Sequence, residues 1–448
     1  MKMTRTFIRE TASIAVPVAL QSMLQTSFSL IDQMMVGQLG QSVIAGTGIA
    51  VKFSMIFNSL AVTGLSSAAA IMISQYFGQK NEEKASRSFW QNLSLGFVIG
   101  LVFTVLCHLF SNHICRLYSP DASVYPVGGD YLRIYSLSYP LIAVSSICAV
   151  WLRCSNRASY VTLSAVAGAI VNTFFNWLFI FKMPLFKGYE ASGAALASVI
   201  AQAVMALINV ILVQRHNDLR RPRPQMLSIN NLFTGFKAFL LIVLPLMAGE
   251  TLWAFAENIY SMVYGQLSTE GLAAMTITGP VQGAYFGILA GFGQAAAILV
   301  GRRLGESNES GAIQVSKWIQ KLSFVFSCVL AIAVVVMAPL YVSIYQIDEM
   351  TRNLSIWLLV IFTGFSLVKV QNMVIGGGIL RSGGKTTLTL IVDLIGTWFV
   401  GVPMAIITGS FMHLNILIVY SCVTFEEVVR YLISLFILKK KYWIRTIH

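Results

Sequence analysis

The side chains in this sequence with chemistry to offer are ionisable and amide groups set inside long apolar runs. Asp32 follows Pro17 in the first run; Glu250 follows Pro245 in the seventh, with Trp253 and Glu257 beyond it. Asn172 and Asn176 share a run in the first half, while Lys369, Asp393 and the trio Glu426, Glu427 and Arg430 occupy the last three. An ionised group inside a bilayer costs about 2.5–3.5 kcal/mol on insertion scales, so each needs a reason. A buried carboxylate can take up a proton or a sodium ion and change the packing around it. On a helix that a proline fifteen residues earlier is expected to kink, it can couple ion binding to bending. The other reading of Asp32 is an acid at the outer membrane boundary, touching headgroup water.

Glu250 and Glu257 share a helical face, and Trp253 lies close to it. A carboxylate with an aromatic ring holds an amphipathic cation by charge and ring contact. The alternative pairs Glu250 or Glu257 with Lys369 in a buried structural bridge. Lys369 is then either a counter-ion released when a cation arrives or a permanent partner. Asn172 and Asn176, four residues apart, also share a face. An amide does not titrate and lends sodium only its carbonyl oxygen; equally, two asparagines can bond neighbouring helices. Asp393 either faces an inner cavity or bridges to Lys385. Glu426 and Arg430 have the i, i+4 spacing of a helical ion pair.

Twelve apolar runs must position these groups, near 11–37, 44–76, 88–112, 131–152, 159–182, 192–214, 238–265, 271–302, 315–340, 354–379, 386–408 and 413–438. Each is long enough to cross a hydrocarbon core of about 30 Å. With 56% hydrophobic and 11% charged residues, against roughly 25% charged in soluble domains, a polytopic membrane protein is expected, with no room for a folded soluble domain between spans. No cleavable leader is expected, because the first run continues past Asp32. The net charge of +13 does not point to nucleic acid. Lys and Arg gather in alternate loops, from Lys2, Arg5 and Arg9 to Lys439, Lys440 and Lys441, which predicts cytoplasmic termini. The six cysteines contain no CxxC, and His108 with His113 is the closest histidine pair; neither a disulfide nor a metal site is expected.

The chain also repeats itself. Pro17 and Gly37-Gln38-Leu39 return at one offset as Pro245 and Gly265-Gln266-Leu267, and Leu152-Arg153 as Leu380-Arg381. Gly78-Gln79-Lys80-Asn81-Glu82 matches Gly305-Glu306-Ser307-Asn308-Glu309 one residue out of step. Such a duplication marks a transporter that rocks one half against the other. Six runs per half predict an all-α membrane fold of twelve helices in two six-helix bundles related by a pseudo-twofold axis. The expected divisions are an N-terminal lobe at 1–218, a cytoplasmic linker at 219–236 and a C-terminal lobe at 237–448. Gly64–Ala70 and Gly291–Ala297 sit in equivalent helices and read as packing seams.

Alongside Pro17 with Asp32, the chain carries DQMMVGQLG at 32–40, QYFGQKNEEKA at 75–85, LRCSNRAS at 152–159, LPLMAGETLWAF at 244–255, MTITGPVQG at 275–283 and GGGILRSGGKT at 376–386. In their order and spacing these resemble the multidrug and toxic compound extrusion (MATE) family, closest to its DinF-like prokaryotic branch. The resemblance implies a secondary antiporter that exports cationic, amphipathic compounds in exchange for protons or sodium ions. It implies cation coupling at Asp32, Asn172, Asn176 and Ser198, a substrate site around Glu250, Trp253, Glu257 and Lys369, and a hinge at Pro17. It further implies no cofactor, a monomer, and residence in the inner cell membrane. Two departures stand out: some members carry aspartate where Asn176 stands, and related sequences often read RSGGDT where this chain has Lys385. A flippase for a lipid-linked saccharide, from the same superfamily, is the rival; it would want basic residues lining its cavity. A membrane enzyme would need clustered histidines or a paired nucleophile and base, and the sequence offers neither.

Overall fold

The computed structural model describes residues 5–37, 41–118, 124–182, 190–215, 221–267, 269–345 and 347–444; some helical side chains, Asp32 among them, lie outside that description. The described chain is helical throughout, without a strand. The helices are α1 (Arg5–Gly37), α2 (Val43–Gly78), α3 (Glu82–Tyr118), α4 (Tyr125–Cys154), α5 (Ala158–Ile180) and α6 (Glu190–Gln214). The second half holds α7 (Phe236–Leu267), α8 (Thr269–Gly305), α9 (Glu309–Val342), α10 (Glu349–Leu380) and α11 (Thr386–Phe411). A turn at Phe425 splits α12 into Ile416–Thr424 and Glu426–Lys439. The ten helices α2 to α11 are long and apolar enough to cross a membrane. Charges at Glu426, Glu427 and Arg430 interrupt the apolar character of α12. Most helices run a few residues past the apolar core at each end, as water-facing turns allow.

The repeated sequence is a repeated turn. After α2, Lys80 takes a left-handed conformation (φ 56°) and Asn81 accepts a hydrogen bond from the Lys84 N–H at 3.0 Å. After α8, Ser307 takes the same conformation (φ 56°) and Asn308 accepts from the Gly311 N–H at 2.8 Å. A left-handed residue ends one helix and an asparagine cap starts the next. The turns after α4 and α10 pair in the same way, with left-handed Asn156 (φ 61°) and Gly384 (φ 72°). Asp348 caps α10, and hydrogen bonds from Thr351, side chain first and then backbone N–H, hold its carboxyl below the ordinary range.

Two compact units emerge. One combines residues 1–19, 74–80 and 244–448, and the other 20–73 and 81–243. The second unit has an aromatic core in which Phe57 stacks on Tyr139 at 4.3 Å, with the Ser54 and Tyr139 hydroxyls 2.9 Å apart. It includes the connector between the halves, docked along α3: Trp90 Nε1 donates to the Arg223 carbonyl at 2.9 Å and Gln91 Nε2 to the Leu232 carbonyl at 2.8 Å. In the first unit, the glycine–alanine seam of α8 meets backbone, since a Cβ on Gly293 would lie 3.1 Å from the Met373 carbonyl. At the ends of α2 and α8 the approach is closer and reciprocal. A Cβ on Gly78 would lie 2.1 Å from the Arg302 carbonyl oxygen, and one on Gly305 would lie 1.9 Å from that of Gln75.

Gly305→Ala is therefore expected to destabilise the purified protein by about 1–3 kcal/mol through overpacking. Gly364→Ala, whose Cβ would meet nothing within 4 Å, serves as the control. Thermal melts in detergent check this; equal melting temperatures for the two variants would remove the reciprocal contact as a constraint.

Candidate functional site

Six charged side chains of the first unit form a chain of alternating sign. Glu250 on α7 accepts from Arg381, just past α10, at 2.7 Å. Arg381 lies 3.8 Å from Asp393 on α11, and Asp393 also accepts from Arg430 on α12. Arg430 reaches Glu427 at 3.5 Å, and Glu427 meets Lys369 of α10 at 3.6 Å. The Glu427 carboxylate, 2% exposed, further accepts from Asn372 Nδ2 at 2.7 Å. Three acids alternate with three bases, so each charge has a neighbour of opposite sign where water is scarce.

Local helix geometry brings these groups together. The glycines Gly376-Gly377-Gly378 lie in a π-helical stretch, Ile375–Leu380, that leads into Arg381. A second π-helical stretch, Leu394–Gly401, follows Asp393. Its i→i+5 bonding brings residues five apart towards one face. Gly396 and Gly401 there clear two slots for α12: a Cβ on Gly396 would lie 2.0 Å from Arg430 Cγ, and one on Gly401 would lie 1.9 Å from Glu426 Oε2.

Beside this network lies a cavity of about 100 Å³. Its walls carry the rings of Tyr260, Tyr264, Phe286, Phe362, Phe365 and Tyr420, and the carboxylates of Glu257, Glu426 and Glu427. The Lys369 ammonium sits 4.9 Å from the centroid of the Phe286 ring, so the cavity already holds a tethered cation against aromatic and acidic groups. Tyr260 OH donates to Glu426 Oε2 at 2.5 Å.

Of the residues expected at a substrate site, Glu257 and Lys369 line this cavity together. Glu250 pairs with Arg381 instead of Lys369. Trp253, 39% exposed, lines a separate small void beside Asp393. Asp393 pairs with Arg430 and Arg381 instead of Lys385, and Glu426 bonds Tyr260 while Arg430 turns to Glu427 and Asp393. In the other unit, Asn172 Nδ2 donates to Ser198 Oγ at 3.2 Å and Asn176 Nδ2 to Asn172 Oδ1 at 3.2 Å, joining α5 to α6. Pro17 lies within α1, and the Asp32 side chain lies outside the described residues.

Sequence reasoning placed neither Arg381 nor Tyr260 at the site, taking Arg381 as a mark of the repeat and of the family motif. The repeat held a signal for each. Arg153, the counterpart of Arg381, donates to Gln21 on α1 at 2.9 Å, next to Ser22, the counterpart of Glu250. The same arm serves a neutral contact in one half and an ionic one in the other. Tyr260 is the counterpart of Asp32.

A family model described as MatE matches residues 17–178 and 245–407, each match beginning at one of the paired prolines. The chain is similar to the probable multidrug resistance protein YoeA of Bacillus subtilis (strain 168), 23% identical over 416 residues that cover 91% of this chain and 88% of that protein. Its fold is similar to that of an outward-facing multidrug resistance MATE family transporter, with TM-score 0.84, 19% identity and 98% of both chains covered. It is also similar to a MOP superfamily transporter from Pyrococcus furiosus, at TM-score 0.87, 18% identity and 98% of both chains; that protein's binding pocket is described as having reverse polarity.

Removing one member of the alternating chain strands its neighbours. Glu427→Gln is expected to cost about 3–5 kcal/mol of stability, because it leaves buried cations uncompensated. Glu83→Gln, which breaks the exposed Glu83–Arg87 pair, should cost about 0–1 kcal/mol. Denaturation in detergent measures both, and equal losses would show that the network is not held by charge compensation.

Proposed function

The chain belongs to the MatE family of multidrug and toxic compound extrusion transporters, and on that premise we propose that it is a secondary antiporter exporting organic cations. It works in the inner cell membrane with both termini in the cytoplasm, as the alternation of basic loops indicates. Inward movement of protons or sodium ions drives export, and rocking of the two repeats exposes the site alternately. The observation that carries this reading is the cavity around Lys369. An ammonium already rests there against Phe286 and Glu427, and the surrounding rings and Glu257 suit an amphipathic cation in its place. Glu250, neutralised by Arg381, acts by positioning that arginine. Asp32, on the helix that carries the Pro17 hinge, and the Asn172, Asn176 and Ser198 cluster serve as the coupling centre of the first half.

Ethidium efflux from proteoliposomes, with proton and sodium gradients imposed separately, tests the reading. Movement driven by either gradient supports it; no movement in either favours the saccharide-lipid flippase. Phe286→Ala should weaken ethidium binding about two- to thirty-fold, the ~0.5–2 kcal/mol of a cation–ring contact. Lys369→Met should tighten it, because the resident cation is gone. Weaker binding in Lys369→Met would sink the idea that substrate takes the place of the lysine.

A further inference from the structure

We propose that Glu426 is the proton carrier of the C-terminal half, a carboxyl that holds a proton while the cavity is empty of substrate and releases it when an organic cation enters. For the exchange step this rests on the organic-cation reading above; for the resident proton it does not.

The charge arrangement carries the inference. Glu250, Arg381, Asp393, Arg430, Glu427 and Lys369 already balance three against three. Glu426 is an additional acid, 4% exposed, and it makes no ion pair among the described residues. Its neighbour Arg430 is engaged by Asp393 and Glu427. Its hydrogen-bond partner is the hydroxyl of Tyr260, which carries no charge. An ionised Glu426 beside Glu427 would leave a net negative charge in a site with little water, whereas a protonated one leaves the network neutral.

The groups facing it point the same way. From α7 come Glu257, Tyr260 and Tyr264, and from α10 Lys369. From α12 come Tyr420 and Glu427 at the cavity and Arg430 one turn on. The α11 side contributes Gly401, whose missing Cβ leaves the slot in which the carboxyl and the Tyr260 hydroxyl meet. Glu426 opens on the same cavity as Lys369. An organic cation that pushes the tethered Lys369 ammonium off the Phe286 ring adds a positive charge to the site, since the lysine stays at hand. The added charge would favour the carboxylate, and the proton would leave from the carboxyl oxygen to cavity water. Proton and substrate then exclude one another at one site, which is antiport by competition.

Infrared titration of the purified full-length protein, without substrate, tests the resident proton. The wild type should show a protonated-carboxyl C=O band at neutral pH that is lost in Glu426→Gln and kept in Glu257→Gln. Tyr260→Phe, which retains the carboxyl but removes its donor, should shift the band. A band unchanged in Glu426→Gln, or no such band in the wild type, overturns the proposal; if Glu426→Gln does not fold, an unshifted band in Tyr260→Phe does so. In proteoliposomes, Glu426→Gln should lose proton-driven accumulation of ethidium, and wild-type accumulation in that variant overturns the coupling role. Should the wild type move no ethidium under either gradient, the substrate reading fails while the infrared result still decides whether Glu426 holds a proton.

Discussion

A charge inside a membrane protein must find its compensation among that protein's own side chains, and this requirement organises the C-terminal half of the molecule. Six charges along and at the end of four helices satisfy it by alternating in sign from Glu250 to Lys369. Because each central member serves two neighbours, the positions of α7, α10, α11 and α12 are tied to one another through them. The packing follows suit. Gly396 and Gly401 are hydrogen-sized so that α12 can bring Arg430 and Glu426 against α11. One π-helical stretch ends before Arg381 and another begins after Asp393, on either side of the α10–α11 connection.

The spans and the repeat were legible in the sequence because they depend on composition and local spacing. Apolar length marks a helix wherever it packs, and the paired Asn81 and Asn308 cap helices by bonds to residues three positions away. The acids and Lys369 were legible as a set for the same reason, since a charge in an apolar run is conspicuous. Their partners were not. Expecting Glu426 to meet Arg430 assumes regular helical spacing and no competitor, yet Arg430 is drawn into the Gly396 slot towards Asp393. Arg381 lies at the helical end of α10, beyond the apolar run at 354–379, and only the fold shows its guanidinium reaching Glu250 and Asp393. The break at Phe425 and the π-helical stretches likewise depend on tertiary contacts that periodicity does not carry.

Duplication supplied the frame, and divergence within it separated the two halves chemically. The arginine that ends α4 and the one that ends α10 both reach back to the first helix of their repeat, to Gln21 in one case and to Glu250 in the other. In the first half the arginine meets a neutral amide, and in the second it meets a carboxylate. The Glu250–Arg381 pair is neutral by itself, and Asp393, Arg430, Glu427 and Lys369 extend it with two further acids and two further bases.

The crossing of α2 and α8 has a different bearing. Gly78 lies against the Arg302 carbonyl and Gly305 against that of Gln75, each glycine facing the residue three before the other. This is the reciprocity of an isologous interface, in which the same patch meets itself across a twofold axis. A half-length chain carrying one such glycine would have both sides of the seam as soon as it met a second copy. The contact therefore has the form of a homodimer interface written into a single polypeptide.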